Sequence, residues 1–273
     1  MRYVYVDNLY PGMIAADDLY DSNNNIICGA GDTLCTTDIK KIRKSGDLNI
    51  PITGGFDLNE HLTLLCKLAT REEQSSIIKK KVYTLLEQLS VTDTVSARLF
   101  LGLLNHHPET AEHCINVGIL NAEMAFYLGL SENCIRELAT LGILHDIGKL
   151  MIPISILSKK SKLDTQEMDL IKIHPQVGYL ALKKDRLVND RILHGLLEHH
   201  ERIDGKGYPL NKMDKDLHLY GKITAISDSY EAITAKRSYK YPCTNFHAID
   251  IMRKDEGHYD TNLLDKFEEY ILK

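Results

Sequence analysis

Five histidines and three carboxylates recur along this chain at spacings that suit divalent-metal chemistry: Glu109, His113, His145, Asp146, His174, His199, His200 and Asp228. Adjacent His145 and Asp146 offer an imidazole nitrogen and a carboxylate from neighbouring backbone positions. The pair His199-His200 adds two more nitrogens. Glu109 and His113 stand four apart, so a helix would project both from one face. Mixed nitrogen and oxygen donors suit iron or manganese better than a thiolate-rich set would. Ions held this way polarise water and offset the charge of phosphate oxygens. A lone histidine is more often structural or solvent-facing, and His61, His106, His107, His194, His218, His247 and His258 are read so.

The elements that must carry this set are helices. Glu109, His113, Val117 and Leu120 share one helical stripe. Ser131 can cap a second helix, whose Ile135, Leu138, Leu141 and Leu144 lead into His145. Asp164 with Glu167 makes a capping box for a helix reaching His174, which Pro175 follows. Asp190 can cap a helix that ends at His199-His200. Ile223, Ile226, Tyr230 and Ile233 mark a further helix holding Asp228. The region before them differs. Residues 1–56 read as a small β-rich module, with strands at Tyr3–Val6 and Met13–Ala16, a polar turn from Asp21 to Asn25 and a short helix stopped by Gly46. Ile50-Pro51-Ile52 reads as its closing edge strand. Residues 57–95 form a helical connector, either packed on the catalytic part or facing a partner. The expected fold is mainly α, with an all-helical domain over 96–273.

Bulk properties narrow the function. The net charge of -5 excludes a global basic field for a nucleic acid polymer. A phosphate ligand therefore needs local positive charge, and three divalent ions would outweigh the site's three carboxylates. The six cysteines show no zinc-knuckle spacing and read as thiols in a reducing compartment. No signal-peptide pattern and no membrane-spanning stretch is visible, so the expected location is the cytoplasm. A homodimer or a signalling-protein partner is compatible with this chain.

Five segments, taken in order, resemble the HD-GYP family of the HD phosphohydrolase superfamily. They are Glu109-Thr-Ala-Glu-His113, Leu144-His-Asp-Ile-Gly-Lys149, Ile173-His-Pro175, Glu198-His-His-Glu-Arg-Ile-Asp-Gly-Lys-Gly-Tyr-Pro209 and Ala225-Ile-Ser-Asp-Ser-Tyr230. The resemblance implies a c-di-GMP phosphodiesterase giving linear pGpG, or going on to GMP, by attack of a metal-bridging hydroxide. It implies two or three metals held by His113, His145, Asp146, His174, His199, His200 and Asp228, with Asp146 bridging. Glu109 matches the extra ligand of the three-metal subset. Asp146 and Lys149 would be catalytic. Lys149, Tyr208, Arg237 and Lys240 would touch substrate.

The chain departs from the family in two places: Glu231 stands where an aspartate is common, and Arg237-Ser-Tyr-Lys240 replaces a run with arginine at both ends. Lysine cannot reproduce the bidentate grip of arginine, so preference among cyclic dinucleotides stays open. The competing readings are a dinucleotide sensor or adaptor with weak or no turnover, and a phosphodiesterase for another cyclic dinucleotide.

Overall fold

The β-prone start of the chain forms short antiparallel strands around a small apolar core. The structure, a computed structural model, describes residues 2–6, 9, 13–32, 34–46, 49–54, 76–91, 94–235 and 243–273. The chain divides into two units, Met1–Leu68 and Ala69–Lys273. In the first, β1 (Arg2–Tyr5), β2 (Ile14–Ala15), β3 (Leu19–Tyr20), β4 (Ile26–Cys28), α1 (Thr36–Ser45) and β5 (Asn49–Gly54) follow in order. Leu9, Met13, Ala15, Leu34, Ile42 and Ile50 are buried together. The polar turn between β3 and β4 closes on Asp21, whose carboxylate accepts the backbone N–H groups of Asn23 and Asn25. Gly46 ends α1 in the left-handed region, at φ 89°, where glycine carries no Cβ penalty.

One strand sits differently from the sequence expectation. Strand β5 is central in its sheet, between β1 and β2, and not at its edge. Pro51 lacks an N–H and argues for an edge. On the β2 side Pro51 uses its carbonyl, which accepts from Ala16, the residue after β2, at 2.9 Å, and the β2–β5 register shifts between Ile14 and Ala15.

The second unit is helical. It runs α2 (Ser76–Val91), α3 (Val95–His106), α4 (Pro108–Tyr127), α5 (Glu132–Leu144), a 3-10 turn (Ile147–Met151), α6 (Ile154–Leu157), α7 (Thr165–Lys172), α8 (His174–Leu182), α9 (Asp190–Glu198), α10 (Leu219–Thr234), α11 (Asn245–Lys254) and α12 (Thr261–Ile271). Helix α2 packs on α4 and α5, buries Val82 and Leu86, and pairs Lys81 with Glu132 at 2.7 Å. That places this part of the connector against the helical unit. The earlier part, including Leu62 to Leu68, lies outside the described residues.

Caps set most helix starts. Ser131 accepts the N–H of Cys134, and Asp164 and Glu167 form the expected capping box at 2.9 Å in both directions. Helix α9 is capped by Asn189, which accepts from Ile192, one residue before the expected Asp190. The helix expected to reach His174 stops at Lys172, and His174 opens α8 with Pro175 in its first turn, where a missing N–H costs nothing. Helices α4 and α5 make the most extensive contact in the unit. They approach at Gly118 and Gly142, where a Cβ on Gly142 would stand 2.5 Å from Gly118 Cα. Leu138, Leu141, Ile143 and Leu144 of α5 are fully buried there, each contributing roughly 1.5–3 kcal/mol.

Candidate metal centre

Every ligand-type side chain named above except Glu109 comes from the inner side of this helical unit. His113 lies in the second turn of α4. His145 is the C-cap of α5, and Asp146 follows it into the 3-10 turn that carries Lys149. His174 opens α8, His199 caps the C-terminus of α9 with His200 next, and Asp228 sits within α10. The 3-10 turn can lie against α8 because Gly148 has no side chain, since a Cβ there would collide with the His174 carbonyl. His145, Asp146, His174 and His199 are fully buried, an expensive place for four polar groups unless they are matched.

The carboxylate of Asp146 lies at the middle. Its Oδ1 is 3.1 Å from His174 Nε2 and 4.0 Å from His199 Nε2. Its Oδ2 is 3.4 Å from His145 Nε2, 3.7 Å from His113 Nε2 and 2.5 Å from Lys149 Nζ. Asp228 faces it from α10, with Oδ1 3.0 Å from His113 Nε2 and Oδ2 3.9 Å from His200 Nδ1. The potential ligand atoms fall into three overlapping groups: Asp146 with His174, His199 and His200; His113 with His145 and Asp146; and His145 with His199 and Asp228.

Three rings are held in one tautomer. The Nδ1–H of His145, His174 and His199 donates to the carbonyl three residues back, that of Gly142 at 2.7 Å, Ile171 at 2.8 Å and Leu196 at 2.6 Å. Each Nε2 is thereby turned inward, where its lone pair serves a cation once any proton on it has left. His174 Nε2 and His199 Nε2 then stand 3.1 Å apart. Two lone pairs that close repel, unless a proton or a cation lies between or beside them. His145 Nε2 and Asp146 Oδ1 are buried without a hydrogen-bond partner. Such orphans are rare in folded proteins. Together with the donor set, they fit a site for divalent cations.

The electrostatics of the metal-free chain agree. Burial pushes the Asp146 carboxyl up, but Lys149 and His145 outweigh it and hold it well below the usual carboxylate range. Burial acts the same way on Asp228, and His113 overcomes it. Burial lowers His113, yet Asp228 and Glu231 lift it to about 10. Burial likewise opposes charge on His145, and Asp146 raises it to about 10. Burial, then neighbouring imidazoles, keep His199 well below its ordinary value; His200 is lowered too, by burial first. Protons and Lys149 thus stand where dications would otherwise balance the acids.

Around this cluster sits a supporting shell. Glu231, one turn after Asp228, accepts from His113 Nδ1 and from Asn116 Nδ2. Sequence reasoning marked Glu231 only as a departure from the family. Its spacing of three from Asp228 on one helix face was the signal for a role beside it. The Tyr208 backbone N–H donates to the His200 carbonyl, and the Tyr208 ring stacks on His200 with centroids 4.7 Å apart. Lys172 reaches over the Tyr208 ring, 5.9 Å from its centroid. Neither the stack nor Lys172 was visible in the spacing.

The remaining expectations divide. Glu109 is exposed in the first turn of α4 and is not in any of the three groups. Arg237 and Lys240 lie outside the described residues. His106 and His107 are structural, as expected: His106 Nε2 bonds the Ile152 carbonyl, and His107 caps α4 by accepting the N–H of Thr110.

Comparison with known proteins matches this architecture. The sequence model of the HD domain family matches residues 74–263. A cyclic di-GMP phosphodiesterase of Pseudomonas aeruginosa is 33% identical over 219 residues, covering 76% of this chain and 53% of its own. A 3'3'-cGAMP-specific phosphodiesterase of Vibrio cholerae is 34% identical over 164 residues, covering 59% of this chain and 31% of its own. The chain thus spans about half, or less, of the length of these relatives. In fold it resembles Bd1817, an HDG"Y"P protein from Bdellovibrio bacteriovorus, with a TM-score of 0.56 at 14% identity over 100% of this chain and 99% of that one.

Proposed function

The chain belongs to the HD domain family, and on that footing we propose that it is a metal-dependent phosphodiesterase acting on a cyclic dinucleotide, with c-di-GMP the leading substrate and linear pGpG the first product. One observation carries the reading: six buried or half-buried imidazoles and carboxylates surround Asp146, and two inward-facing polar atoms there lack any partner. Two relatives named for cyclic dinucleotides, the Pseudomonas and Vibrio enzymes, support the substrate class.

The residues that would hold the ions are His113, His145, Asp146, His174, His199, His200 and Asp228, with Asp146 between the groups. Iron or manganese suits this oxygen and nitrogen set. Glu109 would add a third ion if its exposed side chain turned inward, from one helical turn before His113. When bound, the ions supply an activated water and neutralise charge on the phosphate.

The chain's own residues do the rest. Lys149 is half-buried beside Asp146 and is placed to hold a nonbridging phosphate oxygen as a point charge. Tyr208 presents a ring face braced on His200, suited to lie along a sugar or purine. Burial raises its hydroxyl above the usual phenol range, so it stays a neutral donor and not a base. Glu231 keeps the His113 ring turned, with Nε2 towards the acids. Arg237 and Lys240 remain proposed phosphate contacts on sequence grounds. No helix among the described residues is long and apolar enough to cross a membrane. We place the reaction in the cytoplasm, in line with a second-messenger substrate.

The test is to incubate metal-loaded protein with c-di-GMP, 3'3'-cGAMP and c-di-AMP and separate the products by chromatography. The expected result is pGpG from c-di-GMP. Preferential cleavage of 3'3'-cGAMP would move the substrate within the class, a second reading favoured by the Vibrio relative. No product from any of them at full metal occupancy would replace the enzyme with a sensor.

A further inference from the structure

We propose that His194, Glu198 and His218 form a second cation site, separate from the Asp146 cluster, which takes a divalent ion of the zinc class and ties α9 to the start of α10. The three offer ligand atoms that all lie within 4.8 Å of one another. His194 and Glu198 are four apart on α9, so both project from one face. His218 stands at the N-cap of α10. Glu198 Oε1 is 3.0 Å from His218 Nδ1 and 3.9 Å from His194 Nδ1. A zinc-class ion with bonds of roughly 2.0–2.2 Å in tetrahedral array separates its donors by about 3.3–3.6 Å. The two observed distances bracket that value, and because the rings stack nearly parallel, at 13°, both must turn about their Cβ–Cγ bonds to aim their nitrogens at one point.

The surroundings suit an ion more than a simple surface contact would. The Glu198 side chain is fully buried; its Oε2 accepts the His218 backbone N–H at 2.8 Å and its Oε1 accepts from His218 Nδ1 at 3.0 Å, a proton that the ion would displace. The two rings stack at 4.0 Å, and both side chains are nearly half exposed, so an ion can enter and keep a water. Lys212 Nζ already lies 2.6 Å from the same Oε1. A cation is therefore wanted there, and the ammonium is its current occupant on a flexible stem. Two imidazoles with one carboxylate favour zinc, nickel or copper over magnesium or calcium. The ion would brace the two helices that deliver His199, His200 and Asp228, and it would do so whether or not the Asp146 cluster hydrolyses anything.

The experiment strips the full chain with chelator, adds zinc, and counts bound zinc by elemental analysis in wild type, in the double variant His194→Gln with His218→Gln, and in Lys212→Met. Circular dichroism confirms that each is folded. The double variant is expected to hold one zinc fewer per chain. Lys212→Met is expected to hold that zinc more tightly, by roughly tenfold, because the ion no longer displaces an ammonium from a buried carboxylate. If the double variant unfolds, His194→Gln alone decides, since its ring is exposed, and it is expected to weaken the same zinc. Equal zinc counts and affinities across wild type and the histidine variants would overturn the site, as would unchanged affinity in Lys212→Met.

Discussion

Replacing Gly142 by alanine should dismantle the metal centre from a distance. Gly142 lies on α5 where α4 crosses it, and an added Cβ would stand 2.5 Å from both Cα and N of Gly118 and 2.7 Å from the Val117 carbonyl carbon. Ordinary contact begins at 3.4 Å, so the helices must part locally by about 0.9 Å. All the obstructing atoms are backbone and cannot swing aside. Overpacking of this kind costs about 1–3 kcal/mol, and this case belongs at the upper end. The same shift separates His113 on α4 from His145 at the end of α5, whose ring centroids are 5.2 Å apart. Metal–ligand distances tolerate only about 0.2 Å. Gly142→Ala should therefore lose bound metal and lower the urea midpoint together. Gly118→Ala should be milder, because its nearest obstacles are the Ile143 side chain at 2.9 Å and the Ala139 carbonyl at 3.0 Å, against backbone at 2.5 Å for Gly142. A Gly142→Ala protein with full metal content and a stability within about 0.5 kcal/mol of wild type would refute the reasoning.

Other perturbations separate the roles within the site. Glu231→Ala should reduce metal affinity by roughly 10–100-fold through loss of the His113 partner, while Glu231→Gln should keep most of it; equilibrium dialysis distinguishes them. Lys149→Met should leave metal content intact, since it removes a cation that competes for Asp146, yet slow turnover by about a hundredfold; loss of metal would contradict this. Metal uptake near neutral pH should release protons, because His113 and His145, both raised to about 10, must be neutral to ligate; calorimetry in buffers of different ionisation heat reads the number. For the metal-free chain these raised values contribute stability fully below about pH 6.5, and that contribution should fade as pH rises towards 10. Urea midpoints in chelator at pH 6 and pH 9 give the sign, and a higher midpoint at pH 9 would count against it.

The candidate ligand set was legible because adjacent or helix-spaced histidines and acids stand out in sequence, and the side chains of His113, His145, Asp146, His174, His199, His200 and Asp228 do converge. Capping chemistry made several helix starts readable, as at Ser131 and Asp164. What stayed hidden depended on three-dimensional neighbours. The Pro51 strand is central, and on the β2 side Pro51 uses its carbonyl, a fact no local pattern carries. Glu231 and Lys172 act across elements, and His194 with His218 looked like isolated surface histidines until the fold stacked them. Glu109 has the right spacing to His113, but spacing on a helix does not fix where an exposed first-turn side chain turns.

The central claim is that one carboxylate, Asp146, organises a multi-ion centre that hydrolyses a cyclic dinucleotide. The most direct measurement is iron and manganese content together with c-di-GMP turnover in wild type and Asp146→Ala. At least two ions per chain and pGpG formation in wild type, both lost in the variant, are expected. An Asp146→Ala protein that cleaves c-di-GMP at the wild-type rate would contradict the account.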